Sequence, residues 1–160
     1  MRTEKRPVVS VIGTANCTEA QSRQAENVGK LLAERGAVLV CGGRGGVMEA
    51  ACRGASAAGG ITIGILPGPD PESGNRYLTV ALPTGLGEAR NALVAQAGQA
   101  VIAIGGGTGT LSEIALALKA GRRVIGLNSW SATSWEGVQL DILMAGDAEE
   151  AVWLALMEES

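Results

Sequence analysis

A glycine-rich segment that leads into a carboxylate is the part of the sequence with the clearest chemical potential. Residues 103–118 read AIGGGTGTLSEIALAL, with three consecutive glycines, then T-G-T, then Glu113 and an apolar run. Backbone N–H groups at a glycine bend can approach a ligand closely, and the N-terminus of a following helix favours negative charge. The segment therefore predicts an anion-binding bend between a strand and a helix, with phosphate as the expected anion.

Other glycine segments stand in comparable places. GGRGG at 42–46, GLG at 85–87 and Gly13 each come after an apolar run that is typical of a buried strand. The carboxyl ends of parallel strands share one edge of a sheet, so these bends are expected to converge on one crevice. Arg44 and Arg90 are the cations expected to clamp a phosphate there. The predicted binding residues are Gly13, Thr14, Gly42, Gly43, Arg44, Gly45, Gly46, Gly87, Arg90, Asn91, Gly105, Gly106, Gly107, Thr108, Gly109, Thr110 and Glu113.

Two common nucleotide motifs are excluded. The P-loop pattern G-x-x-x-x-G-K-[ST] occurs nowhere, and the dinucleotide pattern G-x-G-x-x-G fails because Met48 and Thr110 occupy its third glycine position. Generic phosphate or nucleotide binding remains. Any single glycine loop could instead be a tight strand-to-helix turn that binds no ligand. Three such loops at strand ends make this alternative explanation less convincing.

Glu113 has two interpretations. Thr110-Leu-Ser-Glu113 fits a T-x-x-E capping box, in which the two side chains stabilise a helix N-terminus without any ligand. A carboxylate at an anion site can instead act in catalysis. The residues alone leave both interpretations open.

Composition narrows the class of protein. The formal net charge of −3 provides no field to attract nucleic acid, and the absence of histidine removes His-based catalysis and His metal ligands. Cys17, Cys41 and Cys52 are odd in number and lack C-x-x-C spacing, so no disulfide framework and no metal site is expected. The charged residues 1–6 and the lack of an apolar run of about 18 residues predict a cytoplasmic protein without a signal peptide or membrane span.

Apolar runs alternate with segments of helical spacing along the chain. This alternation predicts an α/β fold, a doubly wound, Rossmann-like parallel sheet of six or seven strands in a single domain over residues 1–160. Because runs such as VVSVIG are predominantly apolar without alternation, the strands are expected to be buried on both faces. Strands are predicted at 8–13, 37–41, 61–66, 77–82, 100–104, 123–127 and 138–144, and helices at 18–34, 47–58, 88–97, 110–120 and 147–158.

The helix predicted at 110–120 carries apolar residues on more than one face. Leu111, Ile114, Leu116 and Leu118 are interleaved with alanines, and a single sheet can cover only one face of a helix. We therefore predict a homo-oligomer, either a dimer or a tetramer, formed largely by the helices at 88–97 and 110–120.

Four segments taken together resemble a known group of proteins. They read GGRGGVMEAACRGA, PGPDPESGN, GLGEARNALVA and GGGTGTLSEIALAL. Over residues 7–158 the sequence is similar to the Lonely Guy-type superfamily, formerly misannotated as lysine decarboxylases. Within it, the resemblance is strongest to the short branch that includes molybdenum cofactor carriers. It implies a Rossmann-like homo-oligomer with a phosphate-binding crevice.

The enzymes of this superfamily cleave the N-glycosidic bond of nucleoside 5′-monophosphates. Their PGGxGTxxE motif corresponds to residues 105–113, where the final acid is kept as Glu113, Gly105 replaces the proline and Ser112 replaces the preceding acid. Their arginine–lysine pair corresponds to Arg90 and Asn91, so the lysine is lost. If this chain is an enzyme, the resemblance implies that Arg90 holds the phosphate and Glu113 stabilises an oxocarbenium-like ribose.

The carrier branch implies another use of the same cradle. We expect a phosphate-anchored carrier or store whose bound cargo is molybdenum cofactor (molybdopterin). The alternatives are a nucleoside 5′-monophosphate phosphoribohydrolase and a sensing or structural relative without turnover. Expected partners are a phosphate-bearing pterin or nucleotide, together with molybdoenzymes or cofactor-synthesis proteins. Candidates for reading the ligand's ring system are Asn75, Asn128, Ser129 and Ser131.

Overall fold

A parallel sheet forms the centre of the computed structural model, which describes residues 3–158. Its strands are β1 (Val8–Gly13), β2 (Val38–Cys41), β3 (Thr62–Leu66), β4 (Val80–Pro83), β5 (Ala100–Ile104), β6 (Arg123–Leu127) and β7 (Ile142–Ala145). They lie in the order β4-β3-β2-β1-β5-β6-β7, and every neighbouring pair is parallel. The chain therefore winds one way from β1 to β4 and the other way from β5 to β7, as predicted for a doubly wound sheet.

Helices cover both faces of this sheet. They are α1 (Glu19–Glu34), α2 (Val47–Ala57), α3 (Asn91–Ala97), α4 (Thr108–Lys119) and α5 (Ala148–Leu156). Helices α1, α2 and α5 form one layer, and α3 and α4 form the other. Each layer buries its own cluster of aliphatic side chains against the sheet, and every residue of β5 is fully buried. No helix within residues 3–158 is both long and apolar enough to cross a membrane.

The switch in winding direction falls between β1 and β5. Gly13 pairs with Ile104 at the last rung of this ladder, so the two loops that follow leave the sheet side by side. Ligands of open α/β sheets bind at this position, outside the carboxyl ends of the strands. The fold thus places the loop after β1 and the glycine loop after β5 where a binding site is expected.

Two helix boundaries form as the sequence predicts. At the start of α1, the Thr18 hydroxyl accepts a hydrogen bond from the Gln21 amide at 3.1 Å, and the Gln21 side chain accepts one from the Thr18 amide at 3.0 Å. The reciprocal pair is a capping box, for which the sequence T-E-A-Q over residues 18–21 is typical. After α2, Gly59 adopts a φ of +74° and the Gly60 amide donates to the Ala55 carbonyl, which ends the helix as expected of a glycine stop.

The start predicted for the strand at 77–82 is wrong, because β4 begins at Val80. Before β4, the backbone of Tyr77 makes hydrogen bonds with side chains. Its amide donates to Asn75 Oδ1, and its carbonyl accepts from Thr62 Oγ1. The strand predicted at 138–144 also starts late, at Ile142. Residues 133–139 before it turn back on themselves in a short antiparallel bridge.

The two helices that flank β5 also differ from prediction. A 3₁₀ turn over Gly87–Arg90 replaces the first turn of the helix predicted at 88–97, and α3 follows it directly. The helix predicted at 110–120 begins earlier, at Thr108. The last helix has Asp147 as its N-cap and ends at Leu156, two residues before the predicted limit of 158.

Candidate functional site

A cavity of about 470 Å³ lies at the carboxyl ends of β1, β2 and β5. It is lined by Val11, Ile12, Gly13, Thr14, Ala15, Gly42, Arg44, Met48, Glu88, Arg90, Asn91, Gly107, Thr108, Gly109, Thr110 and Glu113. A larger depression of about 610 Å³ lies over α1 and α2, where its lining includes Arg23, Glu26 and Lys30. Those residues come from outer helix surfaces, where charges are solvated, so the cavity at the strand ends is the candidate site.

Most of the predicted binding residues line this cavity, and the remaining six are glycines of the same loops. Those that do not line it are Gly43, Gly45, Gly46, Gly87, Gly105 and Gly106. Their positions explain this: for example, a Cβ on Gly43 would meet Leu66, and one on Gly105 would meet the Gln21 side chain. Lining residues that the sequence did not single out are Val11, Ile12, Ala15, Met48 and Glu88. No motif marks these residues, because lining a cavity is a property of the folded chain.

Arg90 is the most unusual group of the site. Its side chain is only 8% exposed, and its Nη1 donates to Asn91 Oδ1. Its Nε, buried within the described chain, has no hydrogen-bond partner. A Cβ on Gly42 would lie 2.6 Å from Nη1, so only glycine lets the guanidinium pack against this backbone. Burial lowers the pKa of Arg90, yet a guanidinium stays protonated in proteins, so the site holds a desolvated positive charge with an unused donor.

The N-terminus of α4 faces the same cavity. Gly107 is its N-cap and makes no side-chain cap, and Thr108, Gly109 and Thr110 form its first turn. The first amides of a helix have no acceptor within the helix and carry the positive end of its dipole. Gly106 has a φ of +107°, a conformation that glycine adopts without strain, and this turns the chain into the helix. The predicted glycine bend between β5 and α4 is therefore formed, and it places the first turn of the helix at the cavity.

Side chains from the segment after β6 hold this bend in place. Ser129 Oγ donates to the Gly105 carbonyl at 2.6 Å, and Trp130 Nε1 donates to the Gly107 carbonyl at 2.9 Å. These two hydrogen bonds fix the backbone of the bend that leads into α4. Ser129 was a candidate for reading a ligand ring, and in the structure its hydroxyl donates to the backbone of the bend.

Asn75 acts in the same way on the loop after β2. Its backbone amide donates to the Gly43 carbonyl at 2.8 Å, and its Nδ2 donates to the Arg44 carbonyl at 3.0 Å. Asn75 therefore shapes the glycine loop from which Arg44 extends. Arg44 itself is exposed and lies on the rim of the cavity, where it adds a second positive charge.

The predicted capping box at Thr110 and Glu113 is wrong. Helix α4 begins two residues before Thr110, and its N-cap, Gly107, has no side chain with which to form such a box. Thr110 and Glu113 both lie inside the helix, buried and facing the cavity. Glu113 is 9% exposed, and no hydrogen bond of its side chain is present among the described residues. Capping therefore does not explain this carboxyl group.

Comparison with protein families identifies the family of this chain. The model of the SLOG cluster4 family matches residues 6–152. The chain belongs to the SLOG cluster4 family. The residues that match the family model include every residue that lines the cavity.

Solved structures similar to this SLOG cluster4 protein include molybdenum cofactor proteins. The molybdenum cofactor binding protein of Rippkaea orientalis is 35% identical with a TM-score of 0.84, over 95% of this chain and 96% of that one. The Moco carrier protein of Chlamydomonas reinhardtii is 36% identical with a TM-score of 0.80, over 92% and 94% of the two chains. An uncharacterized protein of Archaeoglobus fulgidus is 45% identical over 74% of this chain and 78% of its own length.

The electrostatics of the site in this SLOG cluster4 protein centre on Glu113. Burial raises the pKa of Glu113 to about 7, and the charge of Arg90 opposes this only in part. Near neutral pH the carboxyl group is thus partly protonated, which lessens its repulsion of an anion in the cavity. Among the described residues, no group of three or more Cys, Asp or Glu side chains could hold a metal ion.

This titration gives a testable pH dependence of stability. Folded Glu113 keeps its proton up to a pKa of about 7, whereas the unfolded group loses it near 4.5. Between these values the folded state binds more protons, so the free energy of unfolding falls as pH rises, by at most about 1.4 kcal/mol for each pH unit. Glu113→Gln should flatten this decline in urea denaturation, while Glu88→Gln, on the exposed rim, should leave it unchanged. An equal decline in wild type and Glu113→Gln would show that another group causes it.

Proposed function

We propose that this protein binds a phosphate-bearing small molecule in the cavity at the β1/β5 switch point and carries it without chemical change. The observation that carries this proposal is the buried guanidinium of Arg90, whose Nε has no partner, beside the free first-turn amides of α4. Burying an unpaired donor on a charged group costs free energy, and an anion in the cavity would satisfy it.

The other lining groups suit a phosphate with an organic body attached. The amides of Thr108, Gly109 and Thr110 would surround the phosphate oxygens, with Arg90 as the buried countercharge and Arg44 closing the rim. Val11, Ile12 and Met48 supply apolar surface to the same cavity, against which a ring could pack. A volume of about 470 Å³ lies within the usual range for small-molecule sites.

Molybdenum cofactor is the ligand we propose. Its terminal phosphate would occupy the amide-and-arginine cradle, and its pterin would extend towards the apolar lining. The names of the similar solved structures support this choice, since two of them are a molybdenum cofactor binding protein and a Moco carrier protein. A cytoplasmic carrier of this kind would deliver its cargo to molybdoenzymes or receive it from cofactor-synthesis proteins.

One feature favours the enzymatic alternative. Arg90 and Glu113 line the same cavity, so a nucleoside 5′-monophosphate held by Arg90 could present its ribose to the carboxyl group. Glycosidic cleavage would require Glu113 as a carboxylate, to stabilise a cationic ribose or to activate water. Against it, the raised pKa of Glu113 reduces the carboxylate fraction near pH 7.

The variant Glu113→Gln separates carrier from enzyme. If the protein is a carrier, glutamine mimics the neutral carboxyl group, so cofactor binding should survive and neither protein should release adenine from AMP. If it is a phosphoribohydrolase, wild type should release adenine and the variant should be slower by at least about a hundredfold. Hydrolysis that is lost in Glu113→Gln, with an unchanged melting temperature, would overturn the carrier proposal.

A homo-oligomer, dimer or tetramer, is also proposed, with α3 and α4 at the interface. Leu93 on α3 is 45% exposed and Leu86 just before it is 53% exposed, while Leu111 and Leu118 on α4 are half-buried. A second copy packed on this face would remove that apolar area from water.

Light scattering at micromolar concentration should give at least the mass of a dimer. The variant Leu93→Glu should have a lower mass, whereas Trp153→Glu on α5 should keep the mass of wild type. A monomeric wild type would contradict the proposal.

A further inference from the structure

Two of the three cysteines are in direct contact behind the glycine loop of the site. Cys41 ends β2, Cys52 lies on α2, and their Sγ atoms are 3.5 Å apart. Both side chains are fully buried, and both thiols are free in this structure. The geometry points to Cys41 and Cys52 as a thiol–disulfide site that closes into an intramolecular bond when hydrogen peroxide oxidises the protein.

Closure needs only a small movement. The sulfur atoms must approach from 3.5 Å to a bond length of about 2.05 Å. The chain between the two cysteines is the GGRGG loop followed by the first turn of α2, so it already brings the end of β2 beside the helix. Several glycines in this loop leave the backbone able to adjust. Cys17 lies in the loop before α1 and has no such sulfur neighbour among the described residues.

The surroundings of the pair assign different roles to its members. The hydrogen bond from Cys52 lowers the pKa of Cys41, with further help from the Gly43 amide, which donates to Cys41 Sγ at 3.3 Å, and from the charge of Arg90. The same hydrogen bond, together with burial, raises the pKa of Cys52. These opposite shifts, on sulfur atoms already 3.5 Å apart, favour Cys41 as the sulfur that peroxide oxidises and Cys52 as the thiol that resolves the product.

The reaction is balanced with peroxide as the two-electron oxidant. The Cys41 thiolate attacks one peroxide oxygen, the O–O bond breaks, and a sulfenic acid and hydroxide form. Hydroxide takes the proton of Cys52, whose sulfur then attacks the Cys41 sulfur. The S–S bond forms, the S–O bond breaks, and hydroxide leaves and is protonated to water. Two thiols are thereby oxidised to one disulfide while peroxide is reduced to two waters.

Oxidation would reach the candidate binding cavity through two contacts. In the disulfide, the Gly43 amide would no longer donate to a free thiol at Cys41, and the Cys41 sulfur, which interacts with the charge of Arg90, could no longer ionise. Gly43 lies in the loop that also carries Arg44, and Arg44 and Arg90 both line the cavity. The disulfide itself does not depend on which ligand the cavity binds, so its test is independent of the proposed function.

The experiment uses the full chain carrying Cys17→Ser, which leaves Cys41 and Cys52 as its cysteines. The protein is treated with hydrogen peroxide, denatured, alkylated with iodoacetamide and weighed as an intact chain. We expect no alkylation after peroxide and alkylation of both cysteines after a further treatment with dithiothreitol. The matched variant Cys17→Ser/Cys52→Ala should instead accumulate sulfenic or sulfinic acid at Cys41 and form no intramolecular disulfide.

Three results would overturn the inference. One is alkylation of both cysteines after peroxide, which would mean that the pair is inert. Another is irreversible oxidation of Cys41 with Cys52 still free, which would mean that Cys52 does not resolve it. The third is a disulfide between two chains, which would mean that the sulfur atoms do not pair within the fold.

Discussion

Arg90→Gln is expected to weaken binding of molybdenum cofactor by about a hundredfold or more, since two or more charge-assisted hydrogen bonds to phosphate would be lost. Glutamine keeps a polar side chain of moderate size, yet it lacks the charge and the forked donors of a guanidinium. Removing a desolvated charge that has an unused donor should leave the folded protein equally stable or more stable. Affinity is measured anaerobically with cofactor released from a molybdoenzyme.

Arg23→Gln is the matched control. Arg23 lies on α1 with a side chain that is 71% exposed, and its ion pair with Glu19 is a surface contact of little energetic weight. This control loses the same charge from the chain, so a purely long-range electrostatic effect would weaken both variants equally. Similar losses in the two variants, or normal binding in Arg90→Gln, would mean that Arg90 does not hold the phosphate.

Gly107→Val should reduce cofactor binding by at least about tenfold while the protein remains folded, because the new side chain crowds the ligand. A Cβ on Gly107 meets no protein atom within 4 Å, and the φ of −100° suits any residue, so the fold has room for it. The residue lines the cavity, which means that this room is where the ligand is proposed to lie. Gly107→Ala should show a smaller loss of the same kind.

Gly68→Val provides the control for this substitution. Gly68 also has open space around its missing Cβ, and it lies outside the cavity lining. Binding should be unchanged in this variant, and the melting temperatures of both valine variants should stay near that of wild type. A Gly107→Val protein that folds and binds cofactor as tightly as wild type would show that the ligand lies elsewhere.

The sheet could be predicted from the sequence because its strands are buried on both faces. The bounds of β1, β5 and β6 agree with the apolar runs that predicted them, and parallel topology then brings the glycines at the ends of β1 and β5 to one edge. Strands β4 and β7 lie at the two edges of the sheet, where the apolar pattern is weaker. Their starts were misplaced for that reason.

The start of α4 shows where local patterns fail. Thr110 and Glu113 match a capping box, yet the helix is capped by Gly107, which has no side chain and therefore no capping signature in the sequence. The hydrogen bonds from Ser129 and Asn75 to the loop backbones could not be predicted from the sequence for a different reason. Ser129 contacts a residue 24 positions away, and Asn75 contacts one 31 positions away. Such contacts depend on the tertiary fold, so no local sequence motif predicts them.

The protein is proposed to carry a phosphate-bearing pterin in its cavity without hydrolysing nucleotides. Native mass spectrometry tests it on protein purified without oxygen from a host that makes molybdenum cofactor. We expect native chains to carry the added mass of a bound cofactor, and denaturation to release this cofactor as a fluorescent pterin. The fraction of chains with bound cofactor should be lower in Arg90→Gln. Wild-type protein incubated with AMP should release no adenine. Wild-type protein that contains no pterin and releases adenine from AMP would contradict the claim.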